Sequence, residues 1–380
     1  MRIGIEATRI NSQGRGIDRY TCSLIKAFSQ IDKEDEFVLF SDNTLLVKDF
    51  GLRPNFSIEP LAKRFRFIRR PGLGCIGKHF YKDLDLFHFP NSDIWSSKYC
   101  KTVVTMHDLA PYHFPERFFK DVDHFKQYLK ELRCIKKNAD CILTVSDFSK
   151  RDIVDVLGVN PGKVFRVYNG LGQAFRKLPL NEEEARSLLN QFNLSGRFIL
   201  YAGGLDFRKN LTTLIKAFGI LSADSHYSDL KLVIVGRRPQ KYDNKMYLPL
   251  EQLAGSLLLK DSVVFLNNIN DPQLVSLYNL ASLFVFPSIF EGFGFPPLEA
   301  MACGCPVLCS NRCSLPEVVG DAAVLFDPDD VNALAYQIGE IMDSSQLKIE
   351  LSRKGIERAK LFSWNKTAGE IVNIYKKVAA

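Results

Sequence analysis

Phe286-Pro287-Ser288-Ile289-Phe290-Glu291-Gly292-Phe293-Gly294-Phe295-Pro296-Pro297-Leu298-Glu299-Ala300-Met301-Ala302-Cys303-Gly304 is the stretch from which the rest of the chain can be read. An apolar run ends at Pro287, Gly292 and Gly294 allow a tight loop, and Pro297 suits the first position of a helix, where its missing N–H costs nothing. Strand, glycine loop and helix in that order make up one half of a βα unit. With Pro297 at the first position, the amides of Leu298, Glu299 and Ala300 are expected to lie free at a helix N-terminus, which favours an anion. Pro296-Pro297 prevents one helix from running between Glu291 and Glu299, so Glu291 is placed on the loop and Glu299 in the first helical turn. Two acceptor-only carboxylates beside such a terminus suit a hydroxyl-rich ligand that also carries phosphate.

The same alternation runs along the whole chain. Short apolar runs read as strands at 2–7, 37–41, 84–89, 102–107, 141–145 and 164–167, and again at 198–203, 231–236, 263–266, 283–287, 306–309 and 323–326. Between them lie helix-period stretches such as 19–30, 125–138, 212–222, 273–280 and 347–360. This pattern predicts parallel sheets with helices on both faces. About twelve strands exceed what one sheet usually holds, so two doubly wound α/β domains are expected, facing each other across a central cleft. The break falls near 169–179, where Asn169-Gly170 and Leu178-Pro179 interrupt the periodicity before the acidic helix start at Asn181.

The first strand is followed by Asn11-Ser12-Gln13-Gly14-Arg15-Gly16-Ile17-Asp18, a glycine loop opening a helix, in which Gly16 is a candidate for close approach to phosphate. It is not G-x-G-x-x-G, and a nicotinamide cofactor is not supported. Composition agrees with a globular protein: 46% of the 380 residues are hydrophobic and 24% charged. The N-terminus begins Arg2-Ile3-Gly4-Ile5 with no signal-like apolar segment, which predicts a cytoplasmic protein. The net charge of +7 is confined to one place. Residues 61–82 hold Lys63, Arg64, Arg66, Arg69, Arg70, Lys78 and Lys82 and no carboxylate, interleaved with Phe65, Phe67 and Phe80. That segment is a candidate surface for anionic lipid or a polyanion. Cys303, Cys305, Cys309 and Cys313 lack the paired C-x2-C spacing of zinc sites and read as buried thiols.

E-x7-E within F-P-S-x-x-E-G-F-G-x-P-x-L-E-A-M-A-x-G-x-P-V resembles the signature of the retaining, nucleotide-sugar-dependent glycosyltransferases of family 4, which have the GT-B fold. Further motifs agree in order. Tyr201-Ala202-Gly203-Gly204-Leu205-Asp206-Phe207-Arg208-Lys209-Asn210 resembles the family's segment that holds the donor diphosphate, and His107-Asp108-Leu109 with His113-Phe114-Pro115 resembles the histidine segment lining the donor-sugar pocket. Val145-Ser146-Asp147, Tyr168-Asn169-Gly170, Ser314-Leu315-Pro316-Glu317 and Phe362-Ser363-Trp364 match later landmarks. Two positions depart: Gly204 stands where many relatives have Arg, and Asp18 where many are uncharged.

The resemblance implies an acceptor-binding domain over 1–172, a nucleotide-sugar-binding domain over 173–363, and a terminal helix 364–380 that packs back on the first. It implies transfer of a hexose, mannose from GDP-mannose in the relatives with this histidine segment, to a glycan or lipid-diphosphate-linked acceptor in cell-surface polysaccharide synthesis. Glu299 would bind the ribose, Glu291 the sugar, Arg208 and Lys209 the diphosphate, and His107 the sugar near the reacting carbon. Gly203, Gly204, Gly292, Phe293, Gly294 and Leu298 would line the donor. No cofactor, no metal and no nucleic acid are expected; an anionic membrane surface is, at the inner face of the plasma membrane. The alternative is a catalytically silent nucleotide-sugar-binding subunit of a heteromeric transferase.

Overall fold

The computed structural model describes residues 1–8, 10, 16–41, 50–59, 83–92, 100–237 and 245–380. Residues 11–15 of the glycine loop and the basic segment 61–82 lie outside the described residues.

Among the described residues, one unit comprises Met1–Pro115, Phe119–Gly170 and Phe362–Ala380, and the other Glu116–Phe118 with Leu171–Leu361. The first contains strands β1 (Arg2–Glu6), β2 (Glu36–Phe40), β3 (Phe56–Glu59), β4 (Leu86–Phe89), β5 (Lys101–Thr105), β6 (Cys141–Thr144) and β7 (Val164–Arg166). Its longer helices are α1 (Ile17–Ile31), α2 (Val122–Asn138) and α3 (Asp147–Leu157). The second contains β8 (Phe198–Ala202), β9 (Lys231–Val235), β10 (Val263–Leu266), β11 (Leu283–Phe286), β12 (Val307–Ser310) and β13 (Val324–Phe326). Its longer helices are α4 (Glu182–Asn190), α5 (Leu211–Ser222), α6 (Asp271–Leu280), α7 (Phe295–Ala302), α8 (Val331–Asp343) and α9 (Ser345–Ala359). The last helix, α10 (Trp364–Ala379), belongs to the first unit.

Both sheets are parallel, in the orders β3-β2-β1-β4-β5-β6-β7 and β10-β9-β8-β11-β12-β13. Their inner strands are covered on both faces, which is why they read as unbroken apolar runs. Every residue of β8 and of β11 is buried. Edge strand β3, Phe56-Ser57-Ile58-Glu59, was absent from the expected set because it is short, half polar and only partly buried. Several helices begin a few residues earlier than apolar periodicity predicts, because polar caps extend them: Asp121 accepts from the amides of Asp123 and His124, and Asn270 forms a capping box with Gln273.

Helix α10 lies against α1 and buries Ile371, Val372, Ile374 and Tyr375. Each such aliphatic side chain contributes about 1.5–3 kcal/mol. Its start is fixed by Thr367, whose hydroxyl donates to the Tyr168 carbonyl at 2.7 Å. A Cβ at Gly170 would overlap the backbone of Trp364, so glycine is required where the two segments meet.

Candidate functional site

In open parallel sheets, ligands bind beyond the carboxyl ends of the strands where the strand order reverses. In the second sheet that point lies between β8 and β11. The loops leaving these two strands carry Gly203-Gly204 through Lys209 and Pro287 through Gly294. They are tied together, since the Ile289 amide donates to the Arg208 carbonyl at 2.8 Å.

The short helical turn Phe207–Lys209 is built by Asp206, whose carboxylate accepts from the Arg208 amide and, at 2.7 Å, from Arg208 Nε. Burial alone would raise the Asp206 pKa, but Lys209 and Arg208 outweigh it and hold the carboxyl below its usual range. Lys209 Nζ reaches Glu291 Oε1 at 2.5 Å, with the two side chains 11% and 13% exposed. Ser288 Oγ donates to the same oxygen at 2.6 Å. Among the described residues Oε2 of Glu291 accepts no hydrogen bond, so one carboxylate oxygen is held by the protein and the other has its lone pairs for a ligand hydroxyl. Beneath the loop, Tyr201 donates to the Gly204 carbonyl at 2.5 Å and stacks on Phe286 with ring centroids 5.9 Å apart. A Cβ on Gly203 would meet the Tyr201 hydroxyl at 2.7 Å, so backbone approaches ring closely here. At Gly204 a Cβ would lie 3.0 Å from Asp206 Oδ2, so a side chain here would start beside a carboxylate.

The Glu291 loop is fixed from the other side by Ser314, whose hydroxyl lies 2.9 Å from the carbonyls of both Glu291 and Phe293. The helix that follows differs from expectation. α7 starts at Phe295, not Pro297, after Gly294 at φ 110°, a left-handed value that glycine adopts freely. Pro296 and Pro297 both sit in the first turn, where neither has an N–H to lose. Glu299 therefore lies in the second turn, and the amides of Glu299 and Ala300 are inside the helix. Leu298, Glu299 and Ala300 thus lie past the positions whose N–H groups are left over at a helix start. Glu299 is 4% exposed and its Oε2 accepts from Tyr278 of α6 at 3.2 Å.

In the first sheet the strand order reverses between β1 and β4. Glu6 ends β1, buried, and accepts from Asn91 Nδ2 at 3.0 Å just after β4. His107 follows the neighbouring strand β5. Its Nε2 lies 3.0 Å from the Pro90 carbonyl, so that nitrogen carries the proton and Nδ1 presents a lone pair. Burial pushes the ring's pKa below its usual value, so His107 is a neutral hydrogen-bond acceptor and not a cation that polarises a reacting centre. Gly16 is the exposed N-cap of α1 at φ 62°, and Asp18 falls in the first turn, where the helix dipole favours a carboxylate.

The structure thus brings together Gly203, Gly204, Arg208, Lys209, Glu291, Gly292, Phe293 and Gly294 at one switch point, with Leu298 and Glu299 on the adjoining helix; His107 and Gly16 lie in the other unit. Asp206, Ser288, Tyr201, Ser314 and Tyr278 were not assigned from sequence. Asp206 and Ser288 had a local signal: a carboxylate two residues before Arg208 and a hydroxyl three before Glu291 are spacings at which side chains bond nearby groups. Tyr278 and Ser314 are brought in by the tertiary fold. Asp83 and Asp85 lie at the opposite, amino end of the first sheet, where Asp85 accepts from the Arg2 amide at 2.8 Å. Cys305 donates to the Ala281 carbonyl and Cys313 to that of Ile289, so these thiols point apart. Burial raises Cys303 to about 12 and keeps it unreactive.

Residues 14–172 match the family model "Glycosyltransferase Family 4" and residues 184–361 match "Glycosyl transferases group 1". The chain is 30% identical over 377 residues to the O-antigen chain mannosyltransferase B of Escherichia coli, covering 95% of this chain and 96% of that one. It is 31% identical over 268 residues to the serotype-specific mannosyltransferase WbdA of Escherichia coli, covering 70% of this chain and about a third (32%) of that longer protein. Among solved structures, Anabaena Alr3699/HepE in complex with UDP-glucose superposes with a TM-score of 0.77 at 17% identity, over 99% of this chain and 100% of that one, a likeness of fold. The chain belongs to the GT-B glycosyltransferases and is mannosyltransferase-like.

Proposed function

We propose that this protein transfers mannose from GDP-mannose, with retention at the anomeric carbon, to a glycan or lipid-diphosphate-linked glycan during assembly of a cell-surface polysaccharide, working in the cytoplasm at the membrane's inner face. The observation that carries the reading is the Lys209–Glu291–Ser288 cluster at the β8/β11 switch point, in a chain 30% identical over nearly its whole length to an O-antigen mannosyltransferase.

The chemical problem is charge. As the bond from the sugar's anomeric carbon to the diphosphate breaks, its electron pair moves to the phosphate oxygen, which gains negative charge. Arg208 and Lys209 meet that charge; hydrogen bonds to charged groups are worth about 1.5–3 kcal/mol each. Lys209 need not release Glu291 to do so, because its ammonium has three donors. Glu291 Oε2 accepts from a sugar hydroxyl and Glu299 from the ribose. His107, neutral, accepts through Nδ1 from a hydroxyl of the transferred sugar. The acceptor oxygen bonds to the anomeric carbon on the face the diphosphate leaves, and its proton passes to the departing phosphate oxygen. In this reading the two side chains supply the stabilisation that a divalent ion gives elsewhere, so turnover survives EDTA.

The test is thermal stabilisation of the purified protein by GDP-mannose, UDP-glucose, UDP-N-acetylglucosamine and dTDP-rhamnose. A ligand at a hundred times its Kd adds about 2.7 kcal/mol. GDP-mannose is expected to raise the unfolding temperature and the others are not. A rise with a uridine sugar alone overturns the donor assignment.

A further inference from the structure

Four buried polar side chains of the first unit form a hydrogen-bonded file that the reaction above does not use. The Tyr375 hydroxyl on α10 lies 2.5 Å from His88 Nδ1, His88 Nε2 lies 2.8 Å from Thr105 Oγ1, and Thr105 Oγ1 lies 3.3 Å from the Tyr20 hydroxyl on α1. His88, Thr105 and Tyr375 are fully buried and Tyr20 is 3% exposed. Burial holds His88 down at about 3, so its ring is neutral and has one N–H; it donates at one nitrogen and accepts at the other. Helix α10 could be seated by apolar residues alone, without the risk that a buried polar group goes unmet. The file has a direction in space: it runs from the C-terminal helix, across β4 and β5, to the ring of Tyr20.

That ring faces His107. Their centroids are 4.7 Å apart at an interplanar angle of 86°, an edge-to-face contact. Tyr20 makes a second edge contact with Trp364, the first residue of α10, at 5.7 Å. The His107 imidazole is pinned at Nε2 by the Pro90 carbonyl, and its own carbonyl accepts from the Ser149 hydroxyl at 3.1 Å. A single hydrogen bond leaves a ring free to swing about it, and the Tyr20 contact removes that freedom.

We propose that Tyr20 is a positioning residue for His107, and that the file Tyr375, His88, Thr105 and Tyr20, with Trp364, makes the C-terminal helix part of the framework that fixes the His107 ring. This rests on the reading that His107 accepts a hydrogen bond from the sugar. The hydroxyl of Tyr20 orients its ring, and the ring orients His107, so the two substitutions at this position differ. Tyr20→Phe cuts the file but keeps the ring, and lowers kcat twofold to fivefold. Tyr20→Leu removes it and lowers kcat more than tenfold while the donor KM moves less than threefold. Tyr375→Phe, which cuts the file at its far end, lowers kcat twofold to fivefold.

The direct readout is nitrogen NMR of histidine-labelled full-length protein, assigned with His107→Ala. Wild type is expected to show His107 as a single Nε2–H tautomer; in Tyr20→Leu its two ring nitrogens move toward a common averaged shift. Unchanged His107 signals in a Tyr20→Leu protein that melts cooperatively overturn the proposal, whatever its activity. Changed signals with wild-type turnover in both Tyr20→Leu and His107→Ala uphold the positioning and refute the role of His107 toward the sugar. Should Tyr20→Leu fail to fold, Tyr375→Phe carries the same test: displaced His107 signals support the file and undisturbed ones refute it.

Discussion

Replacing Lys209 by Met removes the ammonium but keeps an unbranched stem of similar length, and the pairing with Glu291 sets the size of the effect. Nζ and Oε1 are 2.5 Å apart, and both side chains are nearly nine-tenths buried. Breaking a buried pair by removing one partner costs about 3–5 kcal/mol, because the remaining charge stays desolvated. Here Glu291 retains the Ser288 hydroxyl at 2.6 Å, so a cost below that range, about 2–3 kcal/mol, is expected. For a unit of roughly 190 residues that lowers Tm by about 5–10 °C. If Lys209 meets the diphosphate as proposed, the same substitution raises the Kd for GDP by roughly 10- to 150-fold, equivalent to 1.5–3 kcal/mol. Calorimetry of unfolding and titration with GDP measure the two losses separately. In Lys209→Met/Glu291→Gln the stability is expected to return while GDP binding does not, since the double variant leaves no unpaired charge. A Lys209→Met protein with wild-type Tm and wild-type GDP affinity would refute the assignment of this pair.

Further outcomes follow from the structure and, for the basic segment, from the sequence. Ser314→Ala removes the hydroxyl shared by the carbonyls of Glu291 and Phe293, so it should cost about 1–3 kcal/mol of stability and raise the donor KM several-fold with circular dichroism unchanged. Gly170→Ala forces a Cβ into the Trp364 backbone and is expected to lower stability by about 3 kcal/mol, read by thermal unfolding. His88 titrates near 3 when folded and near 6.5 when unfolded, so its contribution is full above pH 6.5 and is lost as pH falls toward 3. By pH 5 wild type should have lost about 2 kcal/mol more than His88→Gln, as measured by denaturant unfolding at pH 7.5 and pH 5. Neutralising Arg66, Arg69 and Arg70 is expected to weaken flotation with phosphatidylserine vesicles while GDP binding stays unchanged; unaltered flotation would remove the basic segment from the account.

The sequence was most legible where a single physical constraint dominates. Buried parallel strands must be continuously apolar, so Phe198–Ala202 and Leu283–Phe286 announce themselves, whereas Phe56–Glu59, half exposed at an edge, does not. The glycines and prolines around Glu291 located the loop but misplaced the helix start by two residues. Pro296 and Pro297 are each tolerated anywhere in a first turn, and the sequence alone does not say that Gly294 takes a left-handed φ. Tyr278 meets Glu299 through the packing of α6 with α7, and Tyr375 meets His88 where α10 packs in the first unit; Lys209 and Glu291, 82 residues apart, become a pair only through the adjacency of β8 and β11. Pairings of that kind follow from strand order, which local patterns do not encode. His107 was read as binding the sugar near the reacting carbon; which of its nitrogens carries the proton is set by the Pro90 carbonyl at 3.0 Å, a tertiary contact that the sequence does not show.

The central claim is transfer of mannose with retention, and the anomeric configuration of a product tests it most directly. The purified protein is incubated with GDP-mannose and a lipid-linked acceptor ending in mannose, in the presence of EDTA, and the new linkage is read by proton–carbon coupling at the anomeric position. The account predicts an α-linked mannose, matching the α configuration of the donor, formed by wild type and reduced more than tenfold in Glu299→Ala, about 1.4 kcal/mol or more of lost transition-state stabilisation. A β-linked product, or transfer that Glu299→Ala leaves unchanged, would contradict it.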